Sequence, residues 1–108
     1  MYKFKELYTL DFSKINYIEE VHQIIKQELD FPDYYGMNWD ACWDCLTDMV
    51  GEHIHIEIMG MEKIQNKFPH DVKILLDMLK DLKHCYNDKY KDKIRIEIVI
   101  GEARHEIY

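Results

Sequence analysis

The chain has 108 residues, 47% of them hydrophobic and 13% aromatic, which suffices for one buried core and not for two ordinary domains. Its 14 Lys and Arg against 21 Asp and Glu give a net charge of −7, which repels phosphate backbones, excludes nucleic acid as an expected ligand and favours a basic partner. Many soluble proteins are acidic for colloidal reasons, so charge alone does not identify a function.

Export and membrane insertion find no support in the sequence. No apolar run reaches the length that crosses a bilayer, and the first residues, MYKFKELYTL, lack the uncharged core of a secretory signal. Cys42, Cys45 and Cys85 are an odd number of cysteines, which favours reduced thiols over a disulfide framework. We therefore expect a cytoplasmic protein without membrane contact.

The chain begins with a predicted strand and a predicted helix. Residues 7–12, LYTLDF, alternate apolar and polar side chains, as a half-buried strand does. A helix is expected at about 17–29, with Asn16 as its cap and Glu19 three residues further on. His22 lies on the apolar side of this helix, so we expect a hydrogen-bonded core histidine there.

A second helix and two more strands follow. After a loop at DYYG, Asn38 is a suitable cap for a helix that runs to about Asp48. HIHIEI, residues 53–58, alternates strictly between histidine or glutamate and isoleucine, and IRIEIVI, residues 94–100, has the same pattern. Both segments predict strands with one apolar and one polar face.

A short helical piece near 61–67 and a longer helix that starts at Pro69 lie between these two strands. The stretch at 87–93 predicts a solvated connector. The order of elements indicates a single α/β domain with a small three-stranded, mainly parallel sheet, right-handed crossovers and about four helices. Helices should cover one sheet face more fully than the other. The core would span about 7–100, and 101–108 would form a tail that frays.

Three carboxylates, Asp40, Asp44 and Asp48, lie four positions apart along the second helix. Like charges at this spacing are unfavourable, and the helix macrodipole opposes carboxylates in the second half of a helix. An edge that breaks two local rules suggests that function set it, although a merely solvated acidic face explains the same pattern. Tyr and Trp dominate contact energy in recognition surfaces. The aromatic residues nearby are Tyr34, Tyr35, Trp39 and Trp43.

Enzymatic and metal-binding interpretations are weaker. An acid and base pair at Asp40 and Asp44 would need environments that separate their pKa values, and one shared edge provides none. Cys42 and Cys45 match the C-x-x-C redox pattern, but a helix interior flanked by aspartates disfavours a thiolate. The polar strand face at 53–57 lacks a fourth metal ligand. We predict no catalytic residue, no metal and no cofactor, and keep a thiol redox enzyme as a minor alternative.

Residues 22–50, HQIIKQELDFPDYYGMNWDACWDCLTDMV, closely resemble the barstar family, intracellular inhibitors of secreted ribonucleases such as barnase. The pattern PxYYGxNxDAxWDCLT is long and specific. The resemblance runs from about Tyr8 to Leu82 and resumes in the strand at 94–100. It implies a three-stranded parallel sheet with four helices, and no catalysis, because the second helix and the loop before it plug the ribonuclease active site.

The resemblance also implies roles for individual side chains. The aspartate at Asp44 takes the place of a substrate phosphate among the cationic groups of the enzyme, and Asp40 pairs with a further basic side chain. Asp81 matches a carboxylate of the last helix. With Asp48 added from the same edge, the expected partner-binding residues are Tyr34, Tyr35, Gly36, Asn38, Trp39, Asp40, Trp43, Asp44, Thr47, Asp48 and Asp81.

This sequence departs from the family pattern at Trp39, Asp48, Met49 and Gly51, where the family has leucine, glycine, tryptophan and glutamate. Such changes could suit a different ribonuclease. The resemblance implies a cytoplasmic inhibitor, monomeric when free, that forms a one-to-one complex with a basic secreted, barnase-like ribonuclease by occluding its active site. An immunity protein of the same fold directed at a different toxin is the alternative.

Overall fold

The computed structural model describes residues 7–49, 53–85 and 93–107, and eight elements follow one another in this part of the chain. In order, they are β1 Leu7–Asp11, α1 Ile18–Glu28, α2 Trp39–Asp48, β2 Ile54–Met59, α3 Met61–Lys67, α4 Pro69–Cys85, β3 Ile94–Ile100 and β4 Ala103–Glu106. All but β4 lie within a residue or two of the predicted segments. Residues 87–92 of the predicted connector lie outside the described part.

Within the described residues the sheet has four strands in the order β1-β2-β3-β4, so the prediction of three strands is wrong. β1, β2 and β3 are parallel, as expected, and β4 pairs antiparallel with β3. β4 comes from the segment 101–108 that we expected to fray. Gly101 adopts a positive φ of 60°, which lets the chain reverse directly after β3. The backbone N–H of Ile107 then donates to the Ile96 carbonyl at 2.8 Å, which extends the pairing.

One face of the sheet forms the core. Ile54, Ile56 and Ile58 of β2 are at most 3% exposed, and apolar side chains from all four helices belong to the same buried cluster. Burial of an isoleucine side chain contributes roughly 1.5–3 kcal/mol, so the three together contribute roughly 5–9 kcal/mol to the hydrophobic driving force. His55 and Glu57 lie between the isoleucines and point to the opposite face, where they are half-buried. The expectation that helices cover one face more fully is confirmed.

The first helix begins one residue later than predicted. Its cap is Tyr17 rather than Asn16, and the carboxylate that reaches back is Glu20 rather than Glu19. Glu20 Oε1 accepts the backbone N–H groups of Tyr17 at 2.9 Å and Asn16 at 3.0 Å. These bonds satisfy two donors near the helix start.

α2 packs beside α4, and this pair positions the candidate site. α3 also contacts α4, while α1 contacts β1. No helix within the described ranges combines the length and the apolar character that a bilayer span needs.

Candidate functional site

Asn38 ties the loop before α2 to the first turn of that helix. Its Oδ1 accepts the backbone N–H of Ala41 at 2.8 Å, as expected of a helix cap, and its Nδ2 donates to the Gly36 carbonyl at 3.1 Å. A Cβ on Gly36 would lie 3.0 Å from that same Nδ2, so glycine permits the close approach. Loss of such a cap costs about 1 kcal/mol. The loop from 34 to 38 is therefore held to α2 by side-chain hydrogen bonds.

The acidic edge of α2, which we define as Asp40, Asp44 and Asp48, is exposed along its whole length. No cationic side chain in the parts of the chain that the structure covers forms an ion pair with any of the three. The last turn of α2 contains no basic residue either. Thr47 donates its hydroxyl to the Asp44 carbonyl at 2.8 Å, which turns that side chain back onto the helix. The edge thus presents negative charge without local compensation.

The two loop tyrosines have opposite environments. Tyr34 is 86% exposed, as expected for a contact residue. Tyr35 is 5% exposed, and its hydroxyl lies 2.7 Å from Nδ1 of His22, which is itself buried. Burial raises the pKa of Tyr35 and lowers that of His22, so both groups are neutral in the folded protein near pH 7. His22 is thus the hydrogen-bonded core histidine predicted above, and Tyr35 supports the loop from beneath.

Trp39 is half-buried and held on two sides. Its indole Nε1 donates to Asp71 Oδ1 in the first turn of α4 at 2.9 Å, and its ring centroid lies 4.3 Å from that of His22. Asp71 was not among the predicted site residues. The available signal was the indole N–H itself, because a tryptophan that is partly buried requires an acceptor for it.

A groove with a volume of about 320 Å³ separates α2 from α4. Asp40 and Asp81 both line this groove. The resemblance assigns these two carboxylates to one surface. Asp77, one helical turn before Asp81, adds a third carboxylate that sequence reasoning missed. Among the residues that the structure describes, no basic side chain lines the groove. Its lining residues are Trp39, Asp40, Trp43, Ile74, Asp77, Met78 and Asp81.

The two cysteines of the C-x-x-C pattern are buried. Cys42 is 1% and Cys45 7% exposed. Burial raises the pKa of the Cys42 thiol to about 12, and burial, followed by the charges of Asp48 and Asp44, also raises the pKa of Cys45. Reactive cysteines are exposed and have lowered pKa values, so this geometry gives no support to the thiol redox alternative.

The polar side chains of β2 pair with side chains of β3 and β4. His55 Nε2 pairs with Glu97 Oε1, Arg95 Nη2 lies 3.3 Å from Glu97 Oε2, and Arg104 Nη1 lies 2.6 Å from Glu57 Oε2. The hydrogen bond from His55 is the main cause that lowers the pKa of Glu97, which is 4% exposed. Among the described residues, no group of three or more His, Cys, Asp or Glu side chains has a geometry that could hold a metal ion.

Comparisons with known proteins identify the family. The family model described as "Barstar (barnase inhibitor)" matches residues 6–99, a span that includes all four helices, β1, β2 and most of β3. A protein named "Putative ribonuclease inhibitor YrdF" from Bacillus subtilis (strain 168) is 34% identical over 74 residues, which cover 68% of this chain and 81% of the relative. The chain belongs to the barstar family.

Proposed function

We propose that the chain inhibits a basic, barnase-like ribonuclease by covering its active site with the acidic edge of α2 and the loop from 34 to 38. The observation that carries the proposal is the acidic edge, whose carboxylates are exposed and have no cationic partner among the described residues. A ribonuclease active site must be cationic to bind RNA phosphates. Two surfaces of opposite charge attract each other over long range and pair on contact.

The proposed roles follow from position along the surface. Asp44, in the middle of the edge, would occupy the place of a substrate phosphate. Asp40 and Asp81, which line the groove between α2 and α4, would pair with further cations of the enzyme. Tyr34 supplies an exposed aromatic ring for packing. Asp48 extends the negative edge beyond the family pattern. The surface of the partner that faces Asp48 would therefore differ from that of barnase.

The proposal places the protein in the cytoplasm, as a monomer that forms a one-to-one complex with a secreted enzyme and so protects its producer. It needs no cofactor and no metal, and nucleic acid and membranes are not partners. The carboxylates would act through their position and charge, and no covalent bond would be broken.

A capture experiment tests the partner class. Secreted and heterologous ribonucleases pass over the immobilised protein, and the bound fraction is assayed for RNA cleavage after release. Recovery of a basic ribonuclease whose activity is suppressed before release would support the proposal. Recovery of a basic toxin that does not cleave RNA would contradict it and favour an immunity protein of the same fold.

The mechanism is tested with Asp44→Ala. Truncation of one side of a charge pair that becomes buried costs roughly 2–5 kcal/mol, so inhibition of the captured ribonuclease should weaken by at least about thirtyfold. Glu62→Ala is the matched control, because it removes the same charge from an exposed position on α3. Undiminished inhibition by Asp44→Ala would refute the phosphate-mimic mechanism.

A further inference from the structure

The hydrogen bond between Trp39 and Asp71 joins two helices across 32 residues of sequence. Trp39 is the first residue of α2, and Asp71 lies in the first turn of α4. A hydrogen bond to an ionised carboxylate is shorter and stronger than one between neutral groups. Because both side chains are half-buried, water competes weakly for this bond. The bond therefore fixes the start of α2 against α4.

The Trp39 ring also contacts the side chains that support the loop from 34 to 38. Its centroid lies 4.3 Å from that of His22, whose Nδ1 lies 2.7 Å from the Tyr35 hydroxyl. The same hydroxyl donates to the carbonyl of Asn38 at 3.4 Å. Asn38 is the cap of α2. Asp71 is therefore connected to the helix cap by a continuous series of contacts. A displaced Trp39 would loosen the loop and the first helical turn together.

We propose that Asp71 is a positioning residue for the surface that binds the ribonuclease: through Trp39 it holds the first turn of α2 and the loop from 34 to 38 in the arrangement that the partner recognises. The functional half of this inference rests on the proposed function. The bond would preorganise the binding surface, because a surface that is already ordered loses less conformational freedom on binding. Asp71 itself need not contact the partner.

The first test measures order in the free protein. The chain has two tryptophans, so each indole N–H gives its own NMR signal. In Asp71→Ala, the Trp39 indole N–H and the Ala41 backbone N–H should exchange with solvent about tenfold faster, because the bonds that protect them open more often. Asp71→Asn is the matched variant: it removes the charge from the first turn of α4 but keeps a side-chain oxygen, so exchange should rise less than in Asp71→Ala, because a neutral acceptor makes a weaker bond. Unchanged exchange in Asp71→Ala would overturn the positioning role.

The second test measures inhibition of the captured ribonuclease. We expect Asp71→Ala to weaken inhibition about five- to tenfold and Asp71→Asn to weaken it less. Trp39→Phe removes the indole donor from the other side and keeps an aromatic ring, so it tests the same bond should Asp71→Ala fail to fold. In the Trp39→Phe background, Asp71→Ala should add less than about twofold, since both changes break one interaction.

The outcomes separate the two proposals. Faster exchange with undiminished inhibition would overturn the link between Asp71 and binding while the proposed function stands. An unmodified chain that inhibits no ribonuclease would overturn the proposed function and the binding half of this inference with it. The exchange measurement would then still decide whether Asp71 positions α2.

Discussion

Carboxylates on α2 and carboxylates on the sheet have opposite surroundings. On the sheet, Glu57 and Glu106 each pair with an arginine, and Glu97 pairs with a histidine and with arginines. On the acidic edge of α2, none of the three aspartates has a cationic partner within the described residues. Carboxylates that lie close together without cationic partners repel one another and lower stability, whereas ion pairs with cations offset this repulsion. The difference suggests that the sheet charges serve the fold and the helix charges serve a partner that supplies the missing cations.

The largest effect on the folded protein should come from Glu97→Ala. This change removes the buried carboxylate that accepts the hydrogen bond from His55 and lies between Arg95 and Arg104, so the repulsion between the two arginines is no longer offset there. We expect the midpoint of thermal unfolding to fall by several degrees, measured by calorimetry, with inhibition of the ribonuclease unchanged. Glu102→Ala, at an exposed position in the turn before β4, is the control and should leave the midpoint in place. A large loss of inhibition in folded Glu97→Ala would show that the charges of the sheet also serve binding.

Acid should weaken the buried contact of His22 behind the loop and the ion pairs of the sheet in different pH ranges. Burial lowers the pKa of His22 below its ordinary 6.5, although the nearby charges of Asp71 and Glu19 act to raise it. As the pH falls below about 6.5, the unfolded chain therefore binds a proton that the native state resists, and stability declines. The lowered pKa of Glu97 acts in a more acidic range: its contribution is complete above the ordinary value of 4.5 and is lost as the pH falls through the lowered one.

Urea unfolding at a series of pH values measures these ranges. In His22→Gln, whose amide does not titrate, the free energy of unfolding should lose its slope between about pH 6.5 and 5 and keep its slope in stronger acid. Glu97→Gln should do the reverse. An unaltered slope near pH 6 in His22→Gln would show that another group titrates there.

The smallest expected effect concerns the end of the acidic edge. Asp48→Asn removes a like-charge pair with Asp44 and an unfavourable charge in the last turn of α2. The free energy of unfolding should rise by about 0.3–0.8 kcal/mol, measured with urea at low salt. Asp33→Asn, which removes the same charge from an exposed position in the preceding loop, should change it less. A decrease in Asp48→Asn would mean that Asp48 stabilises the fold and is not held there for a partner.

Much of this fold follows from local patterns. Alternation of apolar and polar residues in β2 and in the first part of β3, together with the cap at Asn38, predicted elements that the structure confirms. β4 was missed because ARHE has no apolar alternation: its pairing depends on the turn at Gly101 and on ion pairs made across the sheet. The pair between Arg104 and Glu57 joins side chains 47 positions apart, so no local pattern contains that contact.

The candidate site also has features that the sequence predicted and features that it did not. The spacing of the three aspartates predicted one exposed edge, and all three are exposed. The bond between Trp39 and Asp71 was not predictable, because 32 residues separate its partners and no periodicity relates them. Tyr35 directly follows Tyr34 in the sequence, yet tertiary contacts with His22 and Phe31 make Tyr35 a buried support.

β4 has a consequence for solubility as well as for the sheet. It lies beyond residues 6–99, which match the barstar family, and it covers the edge of β3. An uncovered β3 would expose a row of backbone donors and acceptors on an isoleucine-rich strand, a template for strand exchange between copies of the chain. β4 replaces that edge with a strand of four residues, three of them charged or polar. A short, polar outermost strand is a poor template, so the last residues of this chain act against self-association.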